Sequence, residues 1–329
     1  MQLKFAGAAV LYVAIAALAV AQPRPADESY PMKPVTIVIP FAAGGSSDTI
    51  MRMAAQTVSK DWGQPIVIDN RVGATGAIAG EYTVRQPADG YTLLNATPTS
   101  HTALRALRRD LPYDPMTDLV PVTLLATAPL MLVVNPRKVP VQNLKELIDY
   151  AKANPGKLSY ASTGVGSVAH LSVELLKLIT GTDMVHVPYR GNAPALNDLL
   201  AGNVDLTIDV SSSVNVHLKS GALRSLGATT AKRVSFDPDT PTIGETVPGF
   251  EAQSWNGLVA RAGTPPAIME KIRRDFSAAV RQPAAVKFLT DILIEPAGTT
   301  SAEFTELIKA DAARWERVVR AINLNPQQR

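Results

Sequence analysis

Two short stretches of this sequence combine glycine with serine or threonine directly after an apolar segment. The first is "PFAAGGSSD" at residues 40–48, and the second is "ASTGVGS" at residues 161–167. Glycine lets the backbone approach a bound group closely, and the hydroxyl side chains add hydrogen-bond donors. Both stretches therefore offer many donors around a small space.

Each stretch lies between a predicted strand and a predicted helix. Residues 35–40, "VTIVIP", and residues 158–161 are apolar runs typical of buried parallel strands. Apolar residues at helical spacing follow the first loop and stop at Gly63. The unpaired N–H groups and the positive dipole end of a helix N-terminus favour an anion. The pattern predicts an anion-binding loop in each half of the chain.

Strands and helices alternate along most of the chain, which indicates an α/β fold. Two extended segments, residues 117–136 and 250–261, interrupt this alternation and are predicted to cross between two lobes. We expect residues 30–127 together with 255–329 to form the first lobe, and residues 128–254 to form the second. Because open parallel sheets bind ligands at the carboxyl ends of their strands, a cleft between the lobes would gather both loops.

Two aspartates near these loops allow more than one interpretation. Asp48 lies in the first turn of its helix and would repel a carboxylate, so we expect it to hold loop N–H groups instead. Asp209 ends the strand "DLTID" and points to the predicted cleft. It either accepts a hydrogen bond from a ligand hydroxyl, amine or water, or caps the end of the strand.

The N-terminus predicts export. Lys4 precedes an apolar run at residues 5–20, and Ala19, Val20 and Ala21 form a small-x-small cleavage site before Gln22. We expect residues 1–21 to be a signal peptide removed after Ala21; a retained membrane anchor is the alternative. The chain has no cysteine, which together with the leader favours a bacterial periplasm.

Composition and motifs argue against several other classes of protein. A net charge of +3 over 329 residues, without a basic run, argues against nucleic-acid binding. The four histidines show no metal-ligand spacing, and we expect neither a metal nor a cofactor. "GVGSVA" at residues 164–169 fits the dinucleotide fingerprint, but the acidic Asp183 precedes the next strand instead of ending it. An exported NAD(P)-dependent oxidoreductase therefore stays as an alternative function.

Several longer motifs occur in a characteristic order from about Tyr30 to the C-terminus. They are "PFAAGGSSDTIMR", "NRVGATGAIAG", "PADGYTLL", "YASTGVGSVAHLSVELL", "HVPYRGNAPALNDLLAGNVDLTID", "GALRSLGATTAKR" and "TPTIGETVPGF". In this order the chain resembles the solute receptors of tripartite tricarboxylate transporters, also called the Bug family.

The resemblance implies a type II-like, two-lobed periplasmic binding protein that carries a small carboxylate, either a di- or tricarboxylate or an aromatic acid, to membrane permease subunits. We expect a monomer without catalytic activity; a ligand sensor for a signalling partner is a further alternative. The implied ligand-binding residues are Phe41, Ala43, Gly44, Gly45, Ser46, Thr97, Ser162, Thr163, Gly166, Ser167 and Asp209. Where the family often has Asn after this aspartate, the chain has Val210.

Overall fold

The computed structural model describes residues 30–108, 110–234 and 236–324. The predicted signal peptide and its cleavage site after Ala21 lie outside the described residues. Within the described ranges, no helix combines the length and the apolar character needed to cross a membrane.

The described strands are β1 (Val35–Ile39), β2 (Ile66–Asn70), β3 (Thr92–Ala96), β4 (Leu119–Ala128), β5 (Leu130–Val134), β6 (Ser159–Ser162), β7 (Val185–Pro188), β8 (Leu206–Val210), β9 (Arg224–Ala228), β10 (Ser254–Arg261) and β11 (Glu295–Pro296). The α-helices are α1 (Ser46–Trp62), α2 (Ala77–Val84), α3 (Leu104–Leu107), α4 (Leu144–Ala153), α5 (Val168–Thr180), α6 (Asn192–Ala201), α7 (Ser211–Lys219), α8 (Ile243–Thr246), α9 (Pro266–Arg281), α10 (Pro283–Asp291) and α11 (Ser301–Ala321). A 3₁₀ turn, Ala74–Gly76, and a π-helix, Pro98–Ala103, complete the elements.

The strands form two sheets, one in each lobe of the α/β fold. The first has the order β11-β4-β10-β3-β1-β2, and the second has the order β7-β6-β8-β5-β9. β1 runs parallel to β2 and β3, and β6 runs parallel to β7 and β8. The carboxyl ends of the three parallel strands in each sheet therefore lie at one edge, where the connecting loops begin.

The chain crosses between the sheets twice. The predicted extended segment 117–136 is divided at Pro129, with β4 on its N-terminal side in the first sheet and β5 on its C-terminal side in the second. The chain returns to the first sheet just before β10. This strand begins at Ser254, later than the start of the predicted extended segment 250–261. The exact lobe boundaries at residues 127 and 254 remain predictions.

Local sequence explains where several elements begin and end. All but one of the β1 residues are buried, as expected for a parallel strand covered on both faces. Helix α1 ends where predicted, because Gly63 adopts the left-handed conformation with φ of 62°. The sequence predicts a strand near residues 292–295, and the structure places it slightly later, at Glu295–Pro296, because Leu293 has a positive φ of 60°.

Helix α11 packs against both cores. Near its N-terminus, Phe304 and Ile308 lie in a cluster with Trp255 of β10. Near its C-terminus, Trp315 and Val318 lie in the core of the second lobe. A single helix therefore connects the two hydrophobic cores.

A buried carboxylate holds this helix to its neighbours. Asp311 of α11 accepts hydrogen bonds from Thr102 Oγ1 at 2.6 Å, Trp255 Nε1 at 3.2 Å and Arg314 Nη1 at 3.0 Å. Burial raises the pKa of this carboxyl, and the three donors oppose that rise. The contacts join α11 to the π-helix and to β10.

Replacing Phe304 by alanine is expected to destabilise the protein by about 3–5 kcal/mol, as for other large aromatic truncations in a core. The Phe304 ring is fully buried, and a Cβ at Gly257 would lie 2.2 Å from its Cζ atom, so the ring rests directly on the strand. Urea unfolding measures the change. Glu306→Ala, on the exposed face with 73% of the side chain accessible, is the matched control, expected within about 0.5 kcal/mol of the wild type. A loss below about 1 kcal/mol for Phe304→Ala would contradict this packing.

Candidate functional site

Both glycine-containing loops line one cavity of about 860 Å³ between the lobes. The cavity is lined by Phe41, Ala42, Ala43, Gly44, Gly45, Ser46, Ser47, Thr49, Thr75, Thr97, Thr99, Thr163, Gly164, Val165, Ser167, Gly191, Asn192, Val210, Ser212, Ser213, Ser254, Ile292 and Ile294. None of these lining residues carries a charge, and nearly half carry a hydroxyl group. Any charged ligand in this cavity must therefore be stabilised by dipoles and hydrogen bonds.

The structure brings most of the predicted site residues to this cavity. Those that line it are Phe41, Ala43, Gly44, Gly45, Ser46, Thr97, Thr163 and Ser167. The other three, Ser162, Gly166 and Asp209, lie behind the lining and contact residues that form it.

The first loop is held in shape by Asp48. Its Oδ2 atom accepts the Gly44 N–H at 3.0 Å and Arg52 Nε at 2.8 Å, and its Oδ1 accepts Asn70 Nδ2 at 3.1 Å. Asn70 also donates to the carbonyl oxygen of Phe41 at 2.9 Å. The hydrogen bond from Arg52 lowers the pKa of the Asp48 carboxyl to about 2, so this aspartate stays charged. The structural role predicted for Asp48 is confirmed.

This arrangement decides which donors the first loop offers. The Gly44 N–H is bonded to Asp48, so Gly44 lines the cavity without offering this N–H group to a ligand. Gly45 is the N-cap of α1 and provides no side-chain cap. Among the described residues, no acceptor bonds the N–H groups of Ser46 and Ser47 at the start of α1. These two groups are available to a ligand in the cavity.

The second loop is folded around its own side chains. Ser162 Oγ accepts the Gly164 N–H at 3.2 Å and lies 2.7 Å from His186 Nε2, so its hydroxyl faces away from the cavity. The Gly166 N–H donates to His170 Nδ1 at 3.1 Å. Gly166 has φ of 79°, and a Cβ there would lie 2.3 Å from Leu107, so no other residue fits without displacement.

The remaining groups of the second loop face the cavity. Thr163 and Val165 line it, and their N–H groups have no acceptor among the described residues. Ser167 caps α5 by accepting the His170 N–H at 3.2 Å. The second loop therefore presents backbone donors while its serines keep the loop and helix in place.

Two further helices, α6 and α7, begin at the cavity. Gly191 and Asn192 at the start of α6, and Val210, Ser212 and Ser213 at the start of α7, line it. Neither helix has a side-chain cap. Sequence reasoning missed both N-termini, although "RGN" after β7 and "VSSS" after β8 repeat the strand–loop–helix pattern that identified the first two loops.

Asp209 is buried at the end of β8 and is held by its neighbours. Its Oδ1 atom accepts the N–H of Val210 at 2.7 Å and the amide of Asn192, which also donates to Ser213 Oγ at 3.3 Å. Burial raises the pKa of Asp209 to about 7, and these two donors lower it only in part. Asp209 thus reaches the cavity through Asn192, a residue that the sequence did not single out.

Thr97 and Thr99 come from the π-helix segment that follows β3. Thr97 accepts the Ser100 N–H at 3.2 Å in a capping box, so part of its hydrogen-bonding capacity is already used. Thr99 Oγ1 accepts the Val168 N–H of α5 at 3.4 Å. This contact joins the first lobe to the second at the edge of the cavity.

The electrostatics of the cavity favour an anion. The four helices that begin at its wall, α1, α5, α6 and α7, each direct the positive end of their dipole towards it, although the Val168 and His170 N–H groups of α5 are bonded to Thr99 and Ser167. In the described part of the chain, no group of His, Asp or Glu residues is arranged to hold a metal ion.

Two α/β lobes that enclose an uncharged cleft ringed by helix N-termini define the class of solute-binding proteins. Residues 50–324 match the model of the family described as "Tripartite tricarboxylate transporter family receptor". This chain belongs to that family, and the resemblance noted from its motifs is confirmed.

Relatives and solved structures cover nearly the whole chain. Protein BugT of Bordetella pertussis is 37% identical over 314 residues, which is 95% of this chain and 96% of BugT. The structure of R. palustris Rpa4515 with adipate is 40% identical with a TM-score of 0.79, and covers 88% of this chain and 97% of that one. The structure of MatC from Rhodopseudomonas palustris with bound malate is 34% identical with a TM-score of 0.76, and the match covers 88% of this chain and 100% of MatC.

These comparisons confirm the two-lobed α/β fold and do not support the oxidoreductase alternative. The dinucleotide-like "GVGSVA" forms part of the second glycine-containing loop and the start of α5. At the end of β7, where a dinucleotide-binding fold would have an acidic residue for the ribose, this chain has Tyr189, whose hydroxyl donates to Asp198 at 2.6 Å.

Replacing Asp209 by asparagine is expected to stabilise the ligand-free protein more at pH 8 than at pH 5. The folded-state pKa of about 7 exceeds the ordinary value of 3.8, so the stability associated with the protonated form is lost as pH rises from about 4 to 7. Asparagine keeps the shape of the aspartate side chain and an oxygen that accepts the Val210 N–H, but it does not titrate. Thermal unfolding at both pH values measures the effect, and we expect the gain in melting temperature to be larger at pH 8 than at pH 5 by ~2–4 °C. An equal change at both pH values would contradict a buried, protonated Asp209.

Proposed function

We propose that this protein is an exported receptor that captures a small carboxylate between its lobes and delivers it to a tripartite tricarboxylate-type membrane transporter. The observation that carries the proposal is the convergence of four helix N-termini on a cavity whose lining has no charged residue. Unpaired N–H groups of this kind bind an anion without a cation.

Hydrogen-bond energies are sufficient for this task. A hydrogen bond to a charged group contributes about 1.5–3 kcal/mol, and a micromolar complex needs about 8 kcal/mol in total. The combined energy of four to six such bonds, less the cost of immobilising the ligand, reaches the binding free energy of a micromolar complex. The free N–H groups of Ser46, Ser47, Thr163 and Val165, with the hydroxyl groups around them, provide this number of donors.

The cavity also suits the size of a small organic acid. Its volume of about 860 Å³ falls in the range of pockets that enclose a small molecule. Phe41, Ile292 and Ile294 add apolar surface beside the donors. The structural relatives that contain adipate and malate, at 40% and 34% identity, support a carboxylate as the ligand class.

We further propose that the chain works in the periplasm as a monomer after cleavage following Ala21, and that it performs no catalysis. The family consists of transporter receptors, which supports the assignment to transport. Permease subunits of the transporter are the proposed partners, and no cofactor is required for capture.

Isothermal titration of the mature chain, residues 22–329, is expected to show micromolar or tighter binding of at least one acid among adipate, malate, citrate and benzoate. The protein is unfolded, dialysed and refolded first, so that any copurified ligand is removed. Adipamide, the neutral counterpart of adipate, is the matched control and is expected not to bind, because the helix N-termini stabilise negative charge. Binding of the amide as tightly as the acid, or no heat from any acid, would overturn the proposal.

Gly45→Asp is expected to abolish binding without loss of stability. Gly45 has φ of −76° and ψ of 172°, which any residue adopts, and a Cβ there would lie 3.6 Å from the nearest atom. Aspartate is a favourable N-cap, so the melting temperature should hold or rise. Its carboxylate would repel the ligand by ~4 kcal/mol at 4 Å in a partly solvated site, and we expect Kd to rise by at least about 100-fold.

Gly45→Asn separates charge from shape. Asparagine has the same size and the same capping oxygen but no charge, so its Kd should rise much less than that of Gly45→Asp. Equal increases in Kd for the two variants would show that the size of the side chain, and not its charge, reduces binding.

A further inference from the structure

Two histidines are stacked directly beneath the second anion loop. The rings of His170 in α5 and His186 in β7 lie 3.9 Å apart between centroids at 15°. Tyr160 of β6 continues the stack, 4.9 Å from His186. His170 and Tyr160 are buried in the interior of the second lobe, and His186 is partly exposed.

His170 holds the loop through an atom that must be unprotonated. The Gly166 N–H donates to His170 Nδ1 at 3.1 Å. A backbone N–H is always a donor, so Nδ1 has to be the acceptor, and a neutral His170 carries its proton on Nε2. A second proton on Nδ1 would face the Gly166 N–H directly and remove this hydrogen bond.

His186 holds the other end of the same loop. Its Nε2 atom lies 2.7 Å from Ser162 Oγ, which also accepts the Gly164 N–H at 3.2 Å. Thr163 and Val165, whose free N–H groups line the cavity, lie between these two attachment points. The shape that presents these donors therefore depends on the histidine stack.

The charged groups around the stack are paired with each other. Glu174 accepts a hydrogen bond from the Tyr160 hydroxyl and forms an ion pair with Lys177 Nζ at 2.7 Å. The same Lys177 Nζ lies 5.7 Å from the centre of the Tyr160 ring. Helix α11 and strand β8 also pack on α5; the α11 residues Asp311 and Arg314 form an ion pair at 3.0 Å, and Trp315 and Leu206 contribute apolar surface. A proton added to the stack therefore brings a charge into a buried site whose carboxylate is already shared by Tyr160 and Lys177.

We propose that His170 is a positioning residue that keeps the second loop in its anion-binding shape only while it is neutral, so that the protein loses its carboxylate as pH falls. This inference rests on the proposed function. The binding-competent form excludes a proton at Nδ1, so the affinity falls as His170 takes up a proton. One excluded proton raises Kd about tenfold between pH 7.5 and pH 5.5. Protonation of Asp209 removes a negative charge near the cavity and acts in the opposite direction.

The test compares adipate binding by the wild type and His170→Asn at pH 7.5 and pH 5.5. Asparagine places Oδ1 where Nδ1 lies, so it accepts the Gly166 N–H but does not titrate. We expect its Kd at pH 7.5 to stay within about threefold of the wild type, and its rise on acidification to be about tenfold smaller. Titration of adipate and of Asp209 affects both proteins equally. His170→Phe, which fills the volume without an acceptor, should bind more weakly at both pH values.

A second measurement needs no ligand. In ¹⁵N–¹H NMR spectra of the ligand-free protein, the Gly166 amide should shift and lose protection from exchange at the pH where His170 titrates. The proposal is overturned if His170→Asn keeps the full pH dependence of the wild type, or if the Gly166 amide does not follow His170. Absence of adipate binding at every pH would count against adipate as a ligand for the proposed function, and the Gly166 amide would still decide the role of His170.

Discussion

The interaction between unpaired backbone N–H groups and a negative charge is the constraint on which this structure depends. Such groups have a fixed direction and do not titrate, so the cavity keeps the same donors at any pH as long as the backbone keeps its shape. The chain uses side chains to secure the backbone instead of contacting the anion with a cation. Asp48, Asn70 and Arg52 serve the first loop, and Ser162 and the stacked histidines serve the second.

The two sheets supply the directions of these donors. Parallel strands end at one edge of a sheet, and the helix that follows each strand starts there. Among the described residues the chain crosses between the sheets near residues 129 and 253, and the loops at both edges line the same cavity. The order β3-β1-β2 in one lobe and β7-β6-β8 in the other thus places the starts of α1, α5, α6 and α7 around one cavity.

Much of this arrangement follows from the sequence, and the remainder depends on tertiary contacts. The apolar strand before each glycine loop and the end of α1 at Gly63 have clear local signals, and the structure has them. The π-helix Pro98–Ala103 has no such signal. Ser162 and Gly166 were placed at the ligand by their position in a loop, but whether they face the cavity or the core depends on His186 and His170, which come from other elements. Asn192 was missed for the same reason, since its role arises from a contact with Asp209.

Helix α11 limits how the two lobes move relative to each other. Its first turns are fixed in the core of one lobe by Phe304, and its last turns lie in the core of the other through Trp315. Rotation about the two crossing strands alone would pull one of these ends out of its core. Any change in the angle between the lobes must therefore be accommodated along α11, which Asp311 joins by hydrogen bonds to the π-helix and to β10.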